Sequence, residues 1–191
     1  MKVTWLTQAG LVFENENATV MVDPALSHFE KLKREDREVK ITPDESFIGK
    51  QPDIILITHE HDGHLDLETI ERIIASCEHP ITFISPKNAY AKLKKLGGRH
   101  NYVMLNPHSV WSEKGITFYA VHAEHPDPAA VGFIMDDGER TFYISGDTLY
   151  NYDVIDEVLE LVEDGVDYAF LPINGRGNNM NMTEANEFCE K

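Results

Sequence analysis

The stretch Thr58 to Asp66, THEHDGHLD, sets three histidines and three acids directly after the apolar run Ile54, Ile55, Leu56, Ile57. That run is short, β-branched and preceded by Pro52, so it predicts a buried strand whose end delivers His59 into a loop. Residues two apart in extended chain point to the same side. His59 and His61 can therefore approach one ion together, while His64 turns toward a second position. Imidazoles ligate while neutral, and carboxylates offset the charge of a dication. A lone histidine at a strand end is ordinarily a solvated side chain. Three of them within one short turn, flanked by Glu60, Asp62 and Asp66, point to metal binding instead.

The rest of the chain bounds what such a site can serve. Its 191 residues suit one ordinary domain, 1–191, with a sizeable core. Seventeen basic against 33 acidic residues give a formal charge of −16, which repels a nucleic-acid backbone unless a basic patch is segregated. The mixed run Glu30 to Lys40 carries both signs and reads as a solvated face. Two cysteines, Cys77 and Cys189, make no disulfide framework and are expected to stay reduced. No signal-like apolar region opens the chain, and no run approaches the roughly 18 apolar residues of a membrane span. The expectation is a cytoplasmic protein with neither nucleic-acid nor membrane partners, and with homo-oligomerisation left open.

Short strands are predicted over Val3–Leu6, Leu11–Glu14 and Thr19–Val22, the last ending in Asp23 and Pro24. Asp23 could bond nearby backbone or stand behind a metal-binding histidine. Ala25 to Gln51 reads as a long loop bearing one helix at most. A helix follows the histidine motif, with Leu67, Ile70, Ile73, Ile74 and Cys77 on one face and Asp66 as N-cap. Ile81–Ile84 reads as a strand, then Ser85 as the cap of a helix that starts at Pro86 and stops at Gly97. Tyr102–Leu105, Ile116–His122, Val131–Met135 and Thr141–Ser145 are further strands, the last two joined by a tight turn. Val154 to Val162 is helical behind Asp153, Val166–Ile173 is a buried strand, and Asn181 with Glu184 is spaced as a capping box for a final helix. Strands alternating with helices after an all-strand beginning give an α/β layered fold with mixed sheets.

Two later strands run into residues that can bind a metal. Phe118–His122 leads into AEHPDP, presenting His122 and His125, and Tyr143–Ser145 leads into Gly146, Asp147 and Thr148. Asp147 alone is as readily a cap as a ligand, and either histidine could be a surface residue. The repeated placement of such residues after strands is what draws them together.

Taken together, TWLTQAGLVFE, MVDP, ITHEHDGHLD, HAEH, YISGDT and LPINGRGNNMNMTEA resemble the metallo-β-lactamase superfamily. YISGDT and the Asn174, Gly175, Arg176 loop resemble its L-ascorbate-6-phosphate lactonase-like branch. The resemblance implies a four-layer αββα sandwich with mixed sheets. It implies that His59, His61 and His125 (or His122 in its place) hold a first metal ion and that His64 belongs to a second, with Asp147 bridging. It implies zinc or manganese, one or two ions, generating hydroxide from bound water near neutral pH. Arg176 could then hold the phosphate or carboxylate of a small anionic substrate while Asn174 orients it, although Arg176 could equally pair with surface acids.

Two departures from the pattern carry expectations. The family's aspartate before the last histidine is replaced by Gly63, with Asp62 one position earlier as a candidate to orient the catalytic water. The family also continues through a strand bearing another metal-binding histidine, so Lys191 is expected to close a C-terminally truncated chain. The first metal position is therefore expected to bind more tightly than the second. The expected function is metal-dependent hydrolysis of a lactone or phosphorylated sugar derivative. The alternatives are a phosphodiesterase or nuclease, or a metal-binding protein with little catalysis.

Overall fold

A computed structural model describes residues 1–28, 44–162 and 164–191, which form two compact units, Met1–Met104 and Leu105–Lys191. The charged run 30–40 and most of the expected loop 25–51 lie outside the described residues.

The first unit is a six-stranded mixed sheet whose spatial order follows the chain: β1 (Lys2–Trp5), β2 (Leu11–Glu14), β3 (Thr19–Val22), β4 (Ile54–Leu56), β5 (Thr82–Ser85) and β6 (Asn101–Met104). β1 to β3 form an antiparallel meander, and β3 to β6 run parallel. The β2–β3 turn closes on Asn15, whose Oδ1 accepts from the backbone N–H groups of Asn17 and Ala18. α1 (Leu67–Ser76) and α2 (Lys87–Leu93) provide the crossovers that parallel pairing needs.

Register explains the core. Val12, Met21, Ile55, Phe83 and Tyr102 stand opposite one another in a single row across five strands. Ile70 and Ile73 of α1 and Ala89 and Leu93 of α2 belong to the same core cluster, on which Tyr102 packs. Phe13, Val20, Ile54, Leu56 and Ile84 are buried as well. Burial of both sets explains why β4 reads as a continuous apolar run rather than an alternating one.

The second unit is a five-stranded sheet ordered β11, β10, β9, β8, β7, comprising β7 (Val110–Glu113), β8 (Ile116–His122), β9 (Val131–Asp136), β10 (Thr141–Ile144) and β11 (Tyr168–Phe170). β7 to β10 pair antiparallel, and β11 lies parallel to β10 beyond α3 (Tyr152–Leu161). Val154, Ile155 and Val158 of α3 cluster with Val121, Ile134 and Tyr143 of the sheet and with Ala185 and Phe188 of α4 (Met182–Cys189). Gly132 makes room for Tyr143: a Cβ there would lie 3.0 Å from the tyrosine ring. Burial, reinforced by the charge of Glu157, raises the Tyr143 phenol pKa well above its ordinary value.

Several expectations shift. β7 was not foreseen, because its four residues are exposed or half-buried and carry no apolar alternation; the Lys114–Gly115 turn, with φ of 56° and 76°, folds it onto β8. The strand expected over Val166–Ile173 shortens to Tyr168–Phe170 and is not buried: Tyr168 is 52% and Ile173 57% exposed. Among the described residues β11 stands at the end of the sheet and pairs with β10 alone, which leaves its apolar residues without a second flanking strand there. Ser85 ends β5 rather than capping a helix; Pro86 takes the cap position without a side-chain bond, and the expected helix divides into α2 and a 3₁₀ turn, Lys94–Leu96, before Gly97. α3 starts at Tyr152 because Asn151 Oδ1 accepts from Asp153 N.

The α1 interface sets a stability prediction. Ile70 is fully buried and Glu71 exposed on the same helix. Ile70→Ala is expected to cost about 2–5 kcal/mol and Glu71→Ala no more than about 0.5 kcal/mol, read from urea unfolding midpoints. Equal shifts would mean that α1 does not pack through the face described.

Candidate metal centre

In the first unit the site begins at the carboxyl ends of β3 and β4. Parallel pairing of Val22 with Leu56 sets Asp23 beside the residues that follow β4, and Asp23 N donates to Leu56 O at 3.0 Å. The Asp23 carboxylate is buried. Its Oδ1 accepts from Thr58 N at 2.8 Å, and its Oδ2 accepts from Thr58 Oγ1 at 2.7 Å and meets His64 Nδ1 at 2.7 Å. Thr58 Oγ1 lies 3.1 Å from His59 Nδ1.

These contacts assign the imidazole tautomers. Thr58 spends its one hydroxyl hydrogen on Asp23, so its oxygen accepts from His59, which must carry its proton on Nδ1. Asp23 Oδ2, which accepts from Thr58 Oγ1, also faces His64 Nδ1, a contact that places the proton of this ring on Nδ1. In its neutral form each ring then keeps a lone pair on Nε2, the state a metal ligand needs. His59 and His64 are buried, their ring centroids 4.0 Å apart, and exposed His61 sets its ring edge-on to His59 at 4.8 Å. Candidate ligand atoms of His59 lie within 4.8 Å of those of His61 and of His64. Imidazoles whose Nδ1 atoms are held by Thr58 and Asp23 fit a divalent ion.

The turn that carries the histidines is held at both ends. His64 N and Leu65 N donate to His61 O, at 2.9 and 2.8 Å. Glu60 pairs with Lys92 at 2.9 Å. Asp66 caps α1, accepting from Thr69 N and Thr69 Oγ1, and its Oδ2 also accepts from His28 N at 2.8 Å. Asp62 is exposed on the turn.

In the second unit β8 and β10 run in the same direction, and their ends are stitched together. Glu124 N donates to Thr148 Oγ1 and Leu149 N donates to Glu124 O, both at 3.0 Å. The stitched loops carry His125 and Asp147, both half-buried. His125 Nδ1 accepts from Asp127 N at 3.1 Å, which fixes the ring's rotation. His122 is exposed at the last position of β8, and its backbone N–H donates to Glu157. With its amide oriented to satisfy both ends, Asn179 Nδ2 donates to Asp147 Oδ1 at 3.3 Å. Asn174 Oδ1 accepts from Arg176 N at 2.9 Å and so shapes an exposed loop in which Gly175 and Gly177 take φ near +60°.

Sequence reasoning weighed a capping role against a metal-supporting one for Asp23; it bonds both backbone and a histidine. Thr58, Thr148 and Asn179 were not singled out. Thr58 and Thr148 sit inside quoted motifs, next to His59 and Asp147. Their value comes from partners distant in sequence, Asp23 and Glu124, which spacing does not reveal.

Comparison with known proteins agrees with the resemblance read from the motifs. The β-lactamase superfamily domain matches residues 18–190. A UPF0173 metal-dependent hydrolase of Carboxydothermus hydrogenoformans is 28% identical over 180 residues, covering 92% of this chain and 73% of that protein. The probable L-ascorbate-6-phosphate lactonase UlaG of Escherichia coli strain SMS-3-5 is 22% identical, covering 77% of this chain, and the match spans only 53% of the lactonase. Among solved structures, the metallo hydrolase Igni18 of Ignicoccus hospitalis superposes with a TM-score of 0.73 at 21% identity, covering 97% of this chain and 76% of that one, which shows a shared fold. With both mixed sheets in place and the match running across nearly its whole length, the chain belongs to the β-lactamase superfamily.

Proposed function

We propose that this chain is a metal-dependent hydrolase of a small anionic metabolite, a lactone or a phosphorylated sugar derivative. The observation that carries the reading is the buried Asp23, which with Thr58 holds His59 and His64 in the tautomer that leaves Nε2 available to an ion. The relatives' own descriptions, a metal-dependent hydrolase and a lactonase, point the same way.

His59, His61 and His64 would hold zinc or manganese, with His125 and Asp147 completing the set as the superfamily pattern implies. Held there, a divalent ion would supply an acidified water and a polarised carbonyl or phosphoryl oxygen. Asp23 and Thr58 keep two imidazoles oriented, and Asn179 orients the Asp147 carboxylate. Asp62, exposed beside His61, is the side chain of the turn able to accept a proton from an entering water. Among the described residues no ion pair engages Arg176, so its guanidinium is available to fork onto a phosphate or carboxylate, with Asn174 fixing the loop that presents it.

Four measurements test the reading. His59→Ala and His61→Ala are each expected to remove most bound metal by elemental analysis while leaving the circular dichroism unchanged; wild-type metal content in both would sink the assignment. Asp23→Asn keeps the shape but loses the anionic acceptor, so metal affinity is expected to fall about 10–100-fold by calorimetry. An unchanged affinity would make Asp23 a purely structural residue. Arg176→Ala should act through KM on a phosphorylated substrate, at a cost on the order of 2 kcal/mol. The substrate panel contains lactones, phosphoesters and RNA with added zinc or manganese. Turnover of RNA alone would replace this reading with a nuclease, and metal binding without any turnover would leave a binding protein.

A further inference from the structure

We infer that His28 is a metal ligand of this chain, reaching the ion through the gap that Gly63 leaves beside His64. The inference rests on the metal-binding reading above. Gly63 is the one position of the histidine turn with no side chain, and the space it faces is bounded by a specific group: apart from its chain neighbours Asp62 and His64, a Cβ placed there would have His28 Nε2, 3.9 Å away, as its only heavy-atom neighbour within 4 Å among the described residues. A side chain at 63 would point at the nitrogen of an imidazole that comes from far along the chain.

The backbone of His28 is held in place rather than left to chance. Ser27 N donates to Thr69 Oγ1 at 2.9 Å, and His28 N donates to Asp66 Oδ2 at 2.8 Å. Thr69 Oγ1 also bonds Ser27 Oγ at 3.2 Å. These contacts tie residues 27 and 28 to the first turn of α1, which begins where the histidine turn ends. The carboxylate of Asp66 is occupied by its contacts to Thr69 and His28, so it holds the backbone of His28 in place. The half-buried imidazole of His28 lies on the side that a Cβ at position 63 would face.

Asp62 is the competing candidate for the same gap. It is exposed on the turn. His28 instead lies on the side that residue 63 faces. Its nitrogen is not among the groups of donor atoms already within 4.8 Å of one another, so ligation requires a side-chain rotation toward His64 with the backbone staying in place. A neutral nitrogen donor suits zinc in particular.

The test titrates wild type, His28→Ala, Gly63→Asp and the double variant with zinc chloride and with manganese chloride. Calorimetry gives affinity, and elemental analysis gives ions per chain. His28→Ala is expected to weaken one ion at least tenfold. The double variant is expected to recover it, because an added Cβ at 63 meets only the ring that His28→Ala removes. Long-range proton–nitrogen spectra of labelled wild type follow the ring itself, and zinc should shift the Nε2 resonance of His28 together with that of His64. A His28 resonance that stays put while His59 and His64 shift, or wild-type affinity and stoichiometry in a folded His28→Ala, overturns the inference and leaves the metal-binding reading intact. A wild-type chain that binds neither metal overturns both.

Discussion

The carboxylate of Asp23 is the contact on which the arrangement of the first unit's histidines depends. Burying an ion costs several kcal/mol, and the φ of 44° at Asp23, just before Pro24, adds strain of about 1–3 kcal/mol. Three hydrogen bonds to the charged group, each contributing about 1.5–3 kcal/mol, roughly offset these costs. A near-balanced sum of this kind argues that Asp23 is there for orientation more than for stability. Aspartate is also among the few non-glycine residues that tolerate a left-handed backbone, so this side chain can occupy this bend where a bulkier one could not.

Parallel strands make the contact possible. Because β3 and β4 run in one direction with Val22 opposite Leu56, both chains leave the sheet at the same edge, and Asp23 meets Thr58 with one residue to spare. An antiparallel pairing would have sent the two ends to opposite edges. The same logic operates in the second unit, where β8 and β10 run alike on either side of β9, and Thr148 ties the loop of one to the loop of the other. In both units a threonine hydroxyl next to a candidate ligand, Thr58 beside His59 and Thr148 beside Asp147, joins two strand ends. Burial of these hydroxyls makes the bonds matter, since an unpaired polar group there would be costly.

What the sequence revealed follows from which forces act locally. Apolar runs and caps are local, so β2, β3, α1 with its Asp66 cap, and the Asn181–Glu184 capping box are legible at nearly their true limits. The histidine turn is legible for the same reason: its spacing is its chemistry. Exposed elements are not. β7 lacks apolar alternation, and its only signal is the Lys114–Gly115 turn, which demands positive φ twice. The Val166–Ile173 run misleads in the opposite sense, since it is apolar enough to suggest a buried strand, yet its sequence cannot say that among the described residues β10 alone pairs with it. The tautomers of His59 and His64 are further from reach still, because they are set by Asp23, an acid whose own sequence context, VDP, offered a structural role just as readily.

Gly63 shows how a local departure is answered at long range. Taken along the chain, a glycine within a ligand motif looks like a lost side chain, and the acid one position earlier is the natural substitute. In space the question is which group faces the gap. Asp66 settles that, because one carboxylate both caps α1 and accepts from the backbone of His28, so the helix start that follows the histidine turn also fixes where residue 28 stands. A residue that reads as an ordinary N-cap thus has a second effect: it sets a distant imidazole opposite the one position of the turn that has no side chain to offer. Replacing Asp66 would therefore disturb two things that the sequence presents as unrelated, the first turn of a helix and the wall of a histidine cluster.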